Sequence, residues 1–160
     1  MQKDYYSLIR EELINNEVNR KVKNYSKEKN TVITYFKIGK LLNEAGGKYG
    51  DNIIDEYSRK LVIEVGKKYN RRTLYRMKQF YNVFSNEKVS TLLTQLSWSH
   101  YLLLISLNNY EEIIYYIKIA KDNKLSQREL QYRIKNNEYE KLDESVKTKL
   151  IKNFFDNKRG

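Results

Sequence analysis

Two arginines and a glutamine recur at helical spacing in the stretch VGKKYNRRTLYRMKQ, which occupies residues 65–79. Arg72, Arg76 and Gln79 follow one another at intervals of four and three positions, so they share one face of a helix. Arginine and glutamine side chains form paired hydrogen bonds with guanine and adenine edges in the major groove of DNA. No acid occurs in residues 65–86 although the chain contains 20, and this local absence favours a nucleic-acid contact.

Further polar side chains flank the three residues that would face the bases. Because basic groups and exposed amides at a helix start suit phosphates, we predict that the phosphates contact Lys67, Lys68, Arg71 and Lys78, with Tyr75 beside them. The formal charge of the chain, +11, is consistent with a polyanionic partner. The alternative is that this basic helix face is only solvated, as is common for amphipathic helices.

A helix-turn-helix is the element that would position these side chains. Residues 51–65 form a predicted helix that is capped by Asp51 and stopped by Gly66, and Asn70 is expected to cap a second helix over residues 71–84. The predicted inner face of this second helix consists of Leu74, Met77, Tyr81 and Phe84. The connection from Gly66 to Asn70 is slightly longer than the three or four residues typical of the motif.

A second helix-turn-helix candidate lies further along the chain. It comprises predicted helices over residues 110–121 and 126–136, and Ser126 and Glu129 form a capping box at the start of the second one. The outward residues of that helix are Arg128, Gln131, Arg133 and Lys135. Because acids such as Glu129 and Glu138 are mixed among them, a solvated face is the stronger interpretation here.

The composition predicts an all-α fold. The chain has no proline and only six glycines, too few for the many turns of a β-fold. We expect a compact helical domain of about six to eight helices with one or two helix-turn-helix units. The predicted division is a DNA-binding domain over residues 1–140 and a C-terminal helix and tail over residues 141–160. The domain would comprise a helical pair (3–44, its second helix beginning at Ser26 and ending at Gly46–Gly47), the helix-turn-helix (51–84) and a second unit (97–137).

Residues suited to catalysis are scarce. There is no cysteine and one histidine, His100, so we predict neither a metal site nor a cofactor. Ser97 and His100 are close in sequence, but a nucleophile needs an orienting third group and an oxyanion pocket. Ser97 is better explained as a helix cap and His100 as a packing group with a local acceptor. We therefore expect no enzyme activity and no small-molecule substrate. Since no apolar run reaches about 18 residues, we expect a cytoplasmic protein without a membrane partner.

Five short elements resemble the N-terminal domain of the YhcG-like bacterial proteins. They are YFKIG from residue 35, YG from 49, LYRMKQFY from 74, LSWSHY from 96 and LSQREL from 125. The resemblance covers about residues 5–140 and implies a helical DNA-binding domain that normally precedes a PD-(D/E)xK nuclease domain. The chain departs from the family pattern at Thr73, where asparagine is usual, at Ser85, where proline is frequent, and in lacking the nuclease half. The order of elements is also similar, more faintly, to the helix-turn-helix region of ParB-type partition proteins.

Two classes of function follow from these observations. The first is a non-catalytic module that binds duplex DNA through the helix at residues 71–84, with a second copy paired through residues 3–44. The alternative is a protein-binding module or an inhibitor in a defence, restriction or mobile-element (anti-CRISPR-like) setting, with a nuclease or another protein as its partner in trans.

Overall fold

Helices joined by short turns make up the chain. The computed structural model describes residues 3–21, 27–107 and 109–159, and within them eight α-helices, one 3-10 helix and no strand are present. The helices are α1 (Tyr5–Lys21), α2 (Lys27–Tyr49), α3 (Asn52–Glu64), α4 (Arg71–Phe84), a 3-10 helix (Ser90–Leu92), α5 (Trp98–Leu104), α6 (Tyr110–Asp122), α7 (Gln127–Lys135) and α8 (Glu144–Arg159). The predicted all-α fold is confirmed. No helix within these residues has the length and apolar character needed to cross a membrane.

The helices divide into two units, residues 1–94 and residues 95–160. In the first unit α2 packs against α1, α3 and α4, most extensively against α4. Gly39 makes this approach feasible, because a Cβ atom there would lie only 2.1 Å from the backbone oxygen of Met77. Ile38 and Leu42 of α2 are fully buried beside it. The position of α4 therefore depends on one glycine of α2.

The sequence of α4 accounts for both its start and its inner face. Asn70 has an extended backbone, and its side chain accepts a hydrogen bond from the Thr73 amide at 3.1 Å, which confirms the predicted cap. The predicted bounds of the helix are also correct. Its buried side chains are Leu74, Met77, Phe80 and Phe84. The prediction placed Tyr81 on this face in place of Phe80, whereas Tyr81 is half-buried against Phe36.

Two predicted signals for helix ends in the first unit are wrong. Helix α2 continues through Gly46 and Gly47 to Tyr49, and Gly50, with φ of +90°, provides the left-handed residue that ends it. Asp51 precedes α3, but its side chain makes no capping hydrogen bond. Helix α3 ends at Glu64, one residue earlier than predicted and directly ahead of its cap residue Val65 and of Gly66, so the connection to α4 has six residues. The cap predicted at Ser26 lies outside the described residues.

The second unit is built from α5 to α8 with tyrosines in its core. The hydroxyl of Tyr101, which is fully buried, accepts hydrogen bonds from the Gln95 and Leu96 amides at 3.0 and 3.2 Å. The Tyr116 hydroxyl likewise accepts the Tyr139 amide at 3.2 Å. Burial and these partners fix the tyrosines as core residues, and they position α6 with respect to the segment that follows α7.

Candidate nucleic-acid interface

The outward side of α4, here called the α4 face, consists of Arg72, Tyr75, Arg76 and Gln79. Arg72 and Gln79 are exposed, and Tyr75 and Arg76 are half-buried. Among the residues that the structure describes, Arg72 and Arg76 have neither a hydrogen-bond partner nor an ion-pair partner. The two arginines lie about one helical turn apart, and both guanidinium groups are available to a partner molecule.

Three of the four cations predicted to bind phosphate are in ion pairs within the first unit. Arg71 Nε lies 2.6 Å from Asp55 Oδ1, and Lys78 Nζ lies 3.1 Å from Asp51 Oδ1. Lys68 Nζ lies 2.5 Å from Glu17 Oε1. The fourth cation, Lys67, is exposed and has no such partner in the described part of the chain. Positive charge on this surface is therefore smaller than the sequence indicates.

The ion pairs beside α4 differ in accessibility. The Arg71 side chain is 67% exposed and its guanidinium lies 4.8 Å from the centre of the Tyr75 ring, while its hydrogen bond to Asp55 raises the pKa of Arg71. Water and salt screen such an exposed pair, so a phosphate could replace the carboxylate. Lys78 is only 20% exposed and lies beside the end of α2, close to Gly46. Lys78 therefore belongs to the packing of the unit more than to its surface.

The turn between α3 and α4 is anchored to α1 through Glu17. Tyr69, which is 1% exposed, donates a hydrogen bond from its hydroxyl to Glu17 at 2.5 Å, and Glu17 also pairs with Lys68. Burial raises the pKa of Glu17, but the hydrogen bonds from Lys68 and Tyr69 outweigh it and hold that pKa below its ordinary value. Burial is also the main cause that raises the pKa of the Tyr69 hydroxyl. The carboxylate thus fixes the turn that leads into α4.

Sequence reasoning missed the acids that take part in this surface. Asp51 and Asp55 are four residues apart at the start of α3, and that spacing places them on neighbouring positions of the helix surface. The spacing was a usable signal that they could meet basic residues of the next helix. No comparable signal pointed to Glu17, because 52 residues separate it from Tyr69.

The second basic candidate also contains an internal ion pair. Arg133 donates two hydrogen bonds to Glu138, from Nε at 2.6 Å and from Nη2 at 2.7 Å, and Glu138 also accepts the Tyr115 hydroxyl at 2.6 Å. The hydrogen bond from Arg133 is the main cause that holds the pKa of Glu138 below its ordinary value, against a smaller effect of burial. Arg133 therefore connects α7 to the following segment, while Arg128, Gln131 and Lys135 are exposed on the other side of α7.

The Ser97 and His100 side chains form a structural link in the second unit. Ser97 occupies the cap position of α5, but its hydroxyl makes no capping bond and lies 2.6 Å from His100 Nδ1, so the predicted capping role is wrong. His100 Nε2 donates to the Leu125 carbonyl at 2.8 Å, so the ring has an acceptor as predicted, but that acceptor lies 25 residues away and is not local. With Nε2 carrying that proton, Nδ1 accepts from Ser97. The Nε2 bond thereby ties α5 to the turn before α7, while the Nδ1 bond stays within the start of α5.

The fold and this surface define a small all-α domain whose most prominent chemical feature is a basic helix, α4. The chain belongs to the DUF1016 N-terminal domain family, whose sequence model matches residues 11–141. This is the N-terminal domain of YhcG-like proteins, so the predicted resemblance is confirmed, and in those proteins the C-terminal part is a nuclease. No curated protein and no solved structure shows significant similarity to the chain. The fainter likeness to ParB-type proteins is not supported.

Proposed function

We propose that this domain binds duplex DNA through the α4 face. One observation carries the proposal: Arg72 and Arg76 have no partner in the described part of the chain, and they lie on a helix whose opposite side is buried. A helix held in this way presents its arginines at fixed spacing, and arginine can bind the O6 and N7 atoms of guanine together. Gln79 extends the same face toward an adenine edge. The helix-turn-helix formed by α3 and α4 remains a prediction.

In this proposal the cations that flank α4 have different roles, because their contacts within the unit differ. Lys67 is exposed and binds phosphate directly in this proposal. Arg71 exchanges the Asp55 carboxylate for a phosphate, because the pair it forms is exposed. Lys68 and Lys78 are paired with Glu17 and Asp51, so they support the geometry of the turn and of the helix more than they contribute charge.

The test is a titration of labelled duplex DNA with the full chain at low and at physiological salt. We expect Arg72→Ala/Arg76→Ala to weaken binding at least ~10-fold, since a good contact to a base edge contributes about 1–3 kcal/mol. The matched control is Arg10→Ala/Lys60→Ala, which removes the same charge from two cations paired with Glu64 and Glu56. Equal losses in both double variants would show that only net charge matters.

A protein partner is the alternative function, and one feature of the first unit favours it. A groove of about 510 Å³ between α1 and α2 is lined by Leu8 and Leu41 together with acidic and basic side chains. Mixed charge around apolar side chains suits a protein surface better than a uniformly anionic duplex. Absence of duplex binding at low salt, with stable co-purification of one protein, would support this alternative. Pairing of two copies through residues 3–44 stays a prediction that sedimentation analysis can test.

A further inference from the structure

The exposed side of α7 carries an aromatic ring that is free on the surface. The Tyr132 side chain is 68% exposed, and no ring or cation of the described residues contacts it. Tyr49, the other exposed tyrosine among the residues that the structure describes, is 45% exposed, but it packs edge-on against Tyr5 with centroids 6.5 Å apart and has Lys48 Nζ 5.6 Å from its ring centre. The ring of Tyr132 is thus available to a flat partner in a way that the ring of Tyr49 is not.

Cations flank Tyr132 on both sides along the same helix. Arg128 precedes it by four residues and Lys135 follows it by three, so the three side chains are neighbours on the helix surface. Both cations are exposed, and neither has an ion-pair partner among the described residues. Together with Gln131 these residues form what is here called the α7 face. The nearest acid on α7, Glu129, contributes to the capping box with Ser126.

The helix that carries this face is held firmly on its other side. The capping box fixes its first turn, Leu130 is fully buried, and Arg133 is bound to Glu138 by two hydrogen bonds. These contacts leave Arg128, Tyr132 and Lys135 as the side chains directed to solvent. Little conformational entropy of the backbone would be lost when this face binds a partner.

We propose that the α7 face is a second nucleic-acid contact, which binds a single strand by stacking the Tyr132 ring on an unpaired base. Arg128 and Lys135 bind the phosphates on either side of that base. Aromatic stacking flanked by cations is the common chemistry of single-strand binding, whereas bases within a duplex offer no free face. An acidic protein segment would satisfy the two cations but would leave the tyrosine ring without a partner. The proposal goes beyond the duplex contact of α4 and does not depend on it.

The experiment measures binding of the full chain to a short labelled oligothymidylate. Tyr132→Ala is expected to weaken binding ~5- to 150-fold, the range that corresponds to loss of one stacked base. Tyr132→Phe retains the stacking surface and is expected to bind like the unaltered chain. Tyr49→Ala is the matched control, because it removes an exposed tyrosine whose ring is already occupied. Blunt duplex, measured in parallel, should bind equally well to the Tyr132→Ala variant.

A second arm tests the phosphates and separates this proposal from the duplex contact. Arg128→Ala/Lys135→Ala should lower the slope of log affinity against log salt for the single strand by ~0.7 per residue, while Arg72→Ala/Arg76→Ala leaves single-strand binding unchanged. The proposal is overturned if Tyr132→Ala binds the oligothymidylate normally, if Tyr132→Phe is as weak as Tyr132→Ala, or if Tyr49→Ala loses as much. Tight binding of polyglutamate with unaltered single-strand binding by Tyr132→Ala would identify an acidic protein partner instead.

Discussion

The α4 face and the α7 face begin from the same sequence pattern and arrive at different surfaces. Both helices follow a short turn and present arginine and glutamine outward. Around α4, three cations are paired with acids that lie on α1, just before α3, or in the first turn of α3. The cations without an ion pair among the described residues are Lys67, Arg72 and Arg76. On α7, the ion pair of Arg133 lies on the opposite side of the helix from the exposed residues. The two surfaces therefore differ in where the paired cations lie, which is beside the exposed face on α4 and away from it on α7.

The two helices are also held in place by different forces. Helix α4 buries four large side chains and meets the backbone of α2 closely at Gly39, so its position depends on packing. Helix α7 has one fully buried side chain, Leu130, and depends more on the capping box and on the Arg133–Glu138 pair. Packing is sensitive to added volume, whereas a hydrogen-bonded pair is sensitive to loss of one partner.

The largest expected effect is that of an added methyl group at the α2–α4 contact. Gly39→Ala should destabilise the first unit by about 3 kcal/mol, the upper end of overpacking effects, because the new atom would meet the Met77 carbonyl. Gly47→Ala is the control in the same helix, since a Cβ there meets nothing within 4 Å, and should stabilise by about 0.5–1 kcal/mol. Urea unfolding followed by circular dichroism measures both. Equal stability of the two variants would contradict the close contact.

Two arginine substitutions should have smaller effects, one on stability and the other on duplex binding. Arg133→Ala should cost about 1–2 kcal/mol, because it leaves the half-buried Glu138 without its cation, and it should leave duplex binding unchanged. Arg72→Ala should change stability by no more than about 0.5 kcal/mol, as is usual at an exposed site, while duplex binding falls. The free energy of unfolding and the duplex affinity are to be measured for both variants, by unfolding curves and by duplex titrations. If Arg133→Ala lost duplex binding without loss of stability, α7 would be the duplex-binding helix.

The smallest expected effect concerns the pair beside the α4 face. Asp55→Asn releases Arg71 and removes a negative charge near the proposed phosphate path, so duplex binding should become about twofold to fivefold tighter, a modest gain because exposed ion pairs are weak. Glu11→Gln removes the same charge from an exposed position of α1 and is the control. The measurement is the duplex titration at low salt. Weaker binding by Asp55→Asn would mean that the carboxylate orients Arg71 for its contact.

Local sequence signals predicted most of the secondary structure. The start of α4 at its Asn70 cap and the capping box of α7 follow from side chains within three residues of the positions they affect. Helix ends at glycine were predicted less well. Gly46 and Gly47 stay helical, because the residue that adopts positive φ is Gly50, and nothing in a run of three nearby glycines indicates which one ends the helix.

The sequence by itself determined that the chain is helical, that it belongs to this family and that a basic stripe runs along α4. Only the tertiary structure decided which of those basic side chains are unpaired. Glu17, Asp51 and Asp55 reach the cations of α4 and its turn from other elements, and Glu138 reaches Arg133 around the end of α7. Helix periodicity fixes the direction of a side chain from its own neighbours, whereas an ion pair depends on atoms that packing brings together.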